Sequence, residues 1–376
     1  MAQPLETVLR LAVGLAGAAL VGSTFLSAIK TVVLPRGVSQ RITRVVFVGT
    51  RYVFDFLAHP KRLFEDRDRI LSLWAPLALI VLPFVWLGSV IVGFTAVQWA
   101  IASGSLRQAF LRSGSSMLTL GVSFDAALPA AIASFIQAAI GTVLTALLIS
   151  YLPSIYSAYQ RRETLVGLLE SRAGMPPSPF EMLRRYAWIG AMELLDDDVF
   201  EKWEQWFVEV EESHSSFAAL IFFRSPVAER SWITAAGCVL DTAAITLSCL
   251  DRPSRGRSAL CLRSGFLALR RLASYMGIPH DDDPHLGDPI SVTRREFDLM
   301  CVELQATGLA LKTDREQMWA DFCGWRVNYD SVLVGLSKLM VAPEGRWSSD
   351  REGDRWVPTF GIFRRGSRRH RGGRIR

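Results

Sequence analysis

Residues 71–101 read LSLWAPLALIVLPFVWLGSVIVGFTAVQWAI, a stretch without a single charged side chain. An α-helix needs about 20 predominantly apolar residues to cross the hydrocarbon core of a bilayer. This stretch therefore predicts a transmembrane helix at about 73–99. Pro76 and Pro83 lie inside it, which a membrane helix tolerates when neighbouring helices satisfy the freed backbone groups.

Two more apolar stretches, at about 8–29 and 127–152, also meet the length requirement. The first contains several small residues, among them Gly14 and Gly17, which favour close packing of helices. It is too long for the apolar part of a cleavable signal peptide, so we expect it to remain as a span. The sequence predicts three transmembrane helices within residues 1–157.

The distribution of positive charge predicts the orientation. Residues 30–69 carry nine Lys or Arg, whereas the loop 100–126 carries only Arg107 and Arg112. Because basic loops stay on the cytoplasmic side, we expect the N-terminus and loop 100–126 outside an inner (plasma) membrane. Residues 41–58 predict an additional helix, either at the inner leaflet or partly buried in protein.

The loop between the second and third spans reads SLRQAFLRSGSSMLTLGVSFD over residues 105–125. Ser105–Leu118 predicts a short helix, whose C-terminal dipole end favours a cation. Thr119, Leu120 and Gly121 follow it, and glycine admits backbone angles that a Cβ disfavours.

Roughly residues 71–160 resemble the pore module of pore-loop potassium channels. Both contain an apolar span, a short helix, a Thr-x-Gly loop and a second apolar span, in that order. Thr119, Leu120 and Gly121 match the first half of that family's Thr-Val-Gly-Tyr-Gly loop, while Val122 and Ser123 replace its aromatic residue and second glycine. The resemblance implies that carbonyl oxygens of residues 119–123 line a path for monovalent cations. It also implies a homotetramer, because one chain supplies one loop.

The resemblance further implies that the third span lines an inner cavity. Gln137 is expected to face water or another helix, because an amide in contact with lipid is costly. Gly141 is expected either to let this helix bend during gating or to allow close helix packing.

Residues 158–345 predict a cytosolic all-α domain, because helical spacing is frequent and strand alternation is scarce. We expect Ser178 to cap a helix that follows the prolines at 176 and 177. The apolar stretch 231–250 contains Asp241 at its middle and predicts a buried core helix rather than a fourth span. The other helices are predicted at 161–172, 180–195, 199–212, 257–275, 293–311 and 313–340.

No catalytic motif, cofactor motif or metal-ligand spacing stands out, so we expect neither an enzyme nor a cofactor. The acidic segment 280–288 is interpreted as a solvated loop, with a divalent cation as the alternative. The five cysteines, without paired spacing, predict reduced core thiols.

Residues 346–376 form a basic tail with seven arginines beyond position 360, in a chain of 376 residues with net charge +6. Such a tail predicts disorder and binding to anionic membrane lipids, with nucleic acid as a less favoured partner. Two functional hypotheses result. One is an oligomeric ion channel-like protein, and the other is a non-conducting, membrane-anchored interaction or scaffold protein.

Overall fold

The structure is a computed structural model that describes residues 2–32, 41–59, 63–102, 104–252 and 256–351. The described chain is helical throughout, with one isolated bridge between Leu250 and Leu311 and no strand. This confirms the all-α prediction for the part described. The chain divides into two compact units, residues 1–62 with 69–157 and residues 63–68 with 158–376.

Five helices build the first unit. They are α1 (Ala2–Val32), α2 (Arg41–Leu57), α3 (Phe64–Ile101), α4 (Leu106–Met117) and α5 (Leu128–Ala173), of which α3 and α5 also contribute residues to the second unit. The three predicted spans lie inside α1, α3 and α5. Pro76 and Pro83 do not end α3, and Pro153 does not end α5.

Small residues bring α1 and α3 together, as the glycines of the first span predict. A Cβ on Gly17 would lie 2.5 Å from the carbonyl oxygen of Gly93, and one on Gly14 would lie 2.6 Å from Ala100 Cβ. No larger side chain fits there without separating the helices. The indole of Trp74 on α3 donates to Thr50 Oγ1 on α2 at 3.1 Å.

The second unit contains the remaining helices. They are α6 (Pro179–Trp188), α7 (Glu201–Ser216), α8 (Trp232–Cys249), α9 (Gly256–Met276), α10 (Arg294–Ala306), α11 (Arg315–Arg326) and α12 (Asp330–Met340), with short 3-10 or π turns at 192–194, 196–200 and 218–222. Every residue of α8 is buried, and α9, α11, α6 and α12 pack around it.

Four helices among the described residues are long and apolar enough to cross a membrane. They are Leu5–Val32, Phe64–Ile101, Leu128–Ala173 and Trp232–Cys249. The fourth is α8, so there is one candidate helix more than the three spans predicted from the sequence. It differs from the others because protein covers it entirely, whereas most of each other apolar window is not buried.

A buried ion pair joins α8 to α11. Arg326 and Asp241 are both fully buried and in direct contact, and Tyr329 donates to the same carboxylate at 2.8 Å. Arg326 also binds Asp330 at 2.7 Å and donates to the carbonyl of Trp347. Asp241 Oδ1 thus has two partners inside the protein, where an unpaired carboxylate would be costly, whereas Oδ2 is buried without a hydrogen bond from the described residues.

A second buried arginine organises the start of the unit. Arg162 donates to the carbonyls of Leu220 (2.8 Å) and Phe223 (2.7 Å) and lies 3.1 Å from His214 Nε2. Burial, reinforced by the charge of Arg162, holds the pKa of His214 well below its usual value. His214 is therefore neutral and structural.

Three predicted helix bounds were wrong. The helix expected over 293–311 ends at Ala306, shortly before Gly308 takes a left-handed conformation (φ +83°). The helix expected over 313–340 is two helices, because the backbone turns between Arg326 and Asp330, where both side chains bind buried partners. The helix expected over 180–195 ends at Trp188, because Gly190 takes a left-handed conformation (φ +66°) that terminates it. Ser178 caps α6 as predicted, although its contact to the Glu181 N–H is long at 3.5 Å.

Of the predicted basic tail, residues 346–351 pack with the second unit, and Trp347 is buried there. The remainder, 352–376, lies outside the described residues. All five cysteines are free. Four are buried and Cys323 is partly exposed, in agreement with the predicted core thiols.

Candidate pore loop

The predicted short helix before the loop is present as α4, and its first turn explains where it begins. Ser105 Oγ accepts from the Gln108 N–H (3.3 Å), and Gln108 Oε1 accepts from the Ser105 N–H (3.0 Å). This reciprocal capping box satisfies two backbone donors at the start of a helix. Leu106 is accordingly the first helical residue, within one position of the predicted start.

Ser113 fixes α4 between the two long helices. It is completely buried, donates to the Ile91 carbonyl of α3 at 2.8 Å and accepts from Gln137 Nε2 of α5 at 2.8 Å. A second buried pair, Gln98 Nε2 to Ser134 Oγ at 3.0 Å, joins α3 to α5 directly. Because such groups are costly to leave unpaired in an apolar interior, they specify one position for α4.

The end of α4 lies directly against α5. A Cβ added to Gly141 would lie 2.8 Å from the Met117 carbonyl oxygen and 3.1 Å from its sulfur. Met117 is the last residue of α4. Gly141 therefore serves close packing, the second of its two expected roles, at the point where the loop begins.

The loop after α4 folds back so that its N–H groups face the helix. Four of them donate to the last turns of α4: Leu118 to Gly114 O (3.1 Å), Thr119 to Ser116 O (3.3 Å), Leu120 to Ser115 O (2.9 Å) and Ser123 to Ser115 Oγ (3.1 Å). Within the described part of the chain, no hydrogen bond is donated to the carbonyl oxygens of residues 119–122. Of residues 119–122, Thr119 and Leu120 thus donate their N–H groups to α4, whereas none of the four carbonyl oxygens accepts a hydrogen bond from the described residues.

Two residues of the loop have left-handed backbones. Gly121 has φ +68°, in agreement with the expectation that this position needs glycine. Thr119 has φ +54°, which the sequence did not predict, since a residue with a Cβ loses about 1–2 kcal/mol in that region. The hydroxyl of Thr119 donates to the carbonyl of Leu118 at 2.8 Å.

Alternate residues of the loop expose large apolar side chains. They are Leu118, Leu120, Val122 and Phe124, with exposed fractions of 54%, 60%, 79% and 60%. Isolated apolar residues are common on surfaces, but four large ones within seven residues favour contact with another molecule or with lipid. We call these four residues the apolar strip.

An ion pair closes the loop. Arg112 of α4 is buried and directly contacts Asp125, whose other oxygen accepts from the Ala127 N–H at 3.0 Å just before α5. Sequence reasoning missed this pairing. The signal was present, because Asp125 is the only acid in residues 100–126 and Arg112 is one of only two bases there.

The predicted site residues thus separate into two groups. Thr119, Leu120, Gly121, Val122 and Ser123 lie together in the loop, all exposed except the half-buried Ser123. Gln137 and Gly141 lie apart from them, against α4. Gln137 is completely buried. Of the two surroundings expected for it, water or another helix, it therefore faces another helix.

The acidic segment 280–288 of the second unit is the alternative site for a divalent cation. Asp288 accepts from the His285 N–H (2.8 Å), and His280 binds the Ile278 carbonyl (2.9 Å). Across the described ranges, no group of three His, Cys, Asp or Glu side chains is arranged to hold a metal ion.

Comparison with protein-family models, curated proteins and solved structures finds no match to this chain.

Proposed function

We propose that this chain is the subunit of an oligomeric, ion channel-like membrane protein in which the 119–122 segments of several copies surround a shared path for monovalent cations. The observation that carries the proposal is the one-sided hydrogen bonding of the loop. The N–H groups of Thr119, Leu120 and Ser123 donate into α4, and the carbonyl oxygens of residues 119–122 receive no hydrogen bond from the described residues. Carbonyl oxygens that accept no hydrogen bond from protein can replace the hydration shell of a cation.

The exposed loop favours an assembly over a single chain. One copy supplies one set of carbonyls, which cannot enclose an ion. The apolar strip gives neighbouring copies a surface to bury, at about 25 cal/mol for each Å² removed from water. We propose a homotetramer, the stoichiometry of the channel family that the sequence resembles.

Gln137 and Gly141 take a different role in this proposal from the one first expected. A residue that lines a passage between copies has to be exposed in each copy, and Gln137 is completely buried. Both residues contact α4 and act as positioning residues, which hold the helix that carries the loop.

The membrane arrangement we propose has three spans, α1, α3 and α5, with the N-terminus and loop 100–126 outside and residues 158–376 in the cytoplasm. Nine basic residues in 30–69 against two in 100–126 support this orientation. The complete burial of α8 and the pairing of its Asp241 support a core helix rather than a fourth span.

Cation flux into vesicles tests the proposal with a matched pair of variants. Gly121→Ala adds a methyl group in open space but at φ +68°, where a Cβ is strained, whereas Gly114→Ala adds a methyl group in open space inside α4. We expect purified wild-type protein and Gly114→Ala to admit K⁺ or Na⁺, and Gly121→Ala to lose most of that flux. No flux from the wild type, or equal flux from both variants, would contradict the proposal.

A second candidate function is a membrane-anchored interaction protein. Two grooves in the second unit favour it, one of about 770 Å³ and one of about 760 Å³. Trp188, at the edge of the first groove, is 86% exposed. Intact binding of partners by a chain that conducts no ions would support this candidate.

A further inference from the structure

The second of these grooves lies beside the point where the described chain ends. We call it the acidic groove, and its lining includes Leu286, Asp288, Ile290, Trp319, Asp321 and Trp325. Leu286 is 78% exposed although it is a large apolar residue. Apolar and aromatic walls with two carboxylates suit a ligand that combines aromatic side chains with positive charge.

The chain segment that leads into the groove is acidic. The segment 277–293 contains four aspartates and no Lys or Arg. Asp281, Asp282 and Asp283 of this segment are all exposed. Arg270 donates to the Asp282 carbonyl at 3.1 Å, so one base faces these three carboxylates. The excess of negative charge attracts basic ligands over about a Debye length, roughly 10 Å at 0.1 M salt.

The end of the described chain is held at the groove wall. Arg351 donates to the Ser291 carbonyl at 3.1 Å and to Glu296 at 2.8 Å. The neighbours of Ser291 in sequence, Ile290 and Val292, both line the acidic groove. The segment 352–376 therefore starts within a few residues of this surface.

The composition of the segment 352–376 complements the groove. Residues 356–363 contribute Trp356, Val357, Phe360, Ile362 and Phe363, and residues 364–376 contribute seven arginines and no acid. An extended chain advances about 3.3 Å per residue, so this length reaches any part of the groove. Binding within one chain also avoids the loss of translational freedom that a separate partner incurs.

We infer that residues 356–371 of the same chain occupy the acidic groove, with aromatic side chains against Trp319 and Trp325 and arginines at the aspartates of 281–288. This contact within one chain keeps the arginines from anionic lipid, their expected partner in the membrane. An anionic surface competes for them, so the groove and the membrane are alternative sites for the same residues. The inference concerns the second unit alone and stands or falls independently of ion conduction.

Cys323 provides a native probe, because it lines the groove and is the only one of the five cysteines that is not buried. In full-length protein in neutral detergent, we expect Phe360→Cys to form an intramolecular disulfide with Cys323 under mild oxidation. Gly373→Cys, at the far end of the same segment, is the matched control and should cross-link several-fold more slowly. Replacing Asp281, Asp282 and Asp283 together with Asn should slow the Phe360→Cys cross-link several-fold, as should high salt.

Three results would overturn the inference. The first is equal cross-linking of Phe360→Cys and Gly373→Cys. The second is a cross-link found only between two chains, which would assign the groove to a second copy. The third is a Cys323 maleimide-labelling rate that is the same in the full chain and in a chain ending at Arg351, which would leave the groove empty and the tail free for lipid.

Discussion

Arg112 on α4 and Asp125 at the end of the candidate pore loop are in direct contact, and only 7% of the arginine side chain is exposed. Between them lie all the residues of the apolar strip and all five candidate filter residues. The pair therefore fixes both ends of the segment whose backbone is proposed to meet the ion.

Loss of Asp125 should open the loop. Asp125→Asn removes the negative charge that contacts the buried guanidinium of Arg112, which costs about 1–3 kcal/mol for a partly exposed pair. Labelling of a cysteine placed at Thr119 should become faster and flux should fall. Arg107→Gln, which removes an exposed charge from the same helix, is the control, and equal effects of the two variants would contradict a closing role for the pair.

The position of α4 against α5 should be sensitive to one added methyl group. Gly141→Ala places a Cβ 2.8 Å from the Met117 carbonyl oxygen, so the end of α4 has to move. Gly88→Ala on α3 meets nothing within 4 Å and is the matched control. We expect reduced flux for Gly141→Ala with unchanged yield and helicity by circular dichroism, and wild-type flux for Gly88→Ala. Wild-type flux in both would mean that this contact does not position the loop.

The proposed orientation predicts a labelling pattern in whole cells. Leu106→Cys at the start of α4 should react with a membrane-impermeant maleimide, whereas Glu212→Cys on α7 should react only after lysis, both in a Cys323→Ser background. Both positions are exposed on their own units, so burial does not explain a difference. Labelling of Glu212→Cys in intact cells would reverse the topology.

The second unit should depend more on Arg326 than on its partner. Arg326→Met leaves Asp241 buried with only Tyr329 beside it, and breaking a buried pair in this way costs about 3–5 kcal/mol. Asp241→Asn should cost less, because Arg326 keeps Asp330 and the Trp347 carbonyl. Thermal unfolding in detergent measures both, and an equal loss of stability would contradict this ranking.

Local signals explain which parts of the fold could be predicted. The start of α4 followed from Ser105, because a capping box involves only residues close together in the sequence, here Ser105 and Gln108. The long apolar helices α1, α3 and α5 followed from length and composition alone. Ser178 and the helix breaks at prolines were equally local.

The parts that could not be predicted depend on contacts between distant residues. The break between α11 and α12 arises where Arg326 and Asp330 meet partners from other segments, namely the buried Asp241 and the half-buried Ser291. The burial of Gln137 depends on Ser113, which only the position of α4 brings near it. The left-handed Thr119 has no signal of its own, since threonine rarely adopts that backbone.

The central claim is that cations pass along the carbonyl oxygens of residues 119–122 in an oligomer. Single-channel recording of the purified full-length protein in a planar bilayer tests it most directly. We expect discrete unitary currents carried by K⁺ or Na⁺, and their absence in Gly121→Ala protein of the same oligomeric size. A silent wild-type protein, or unitary currents that persist unchanged in Gly121→Ala, would contradict the claim.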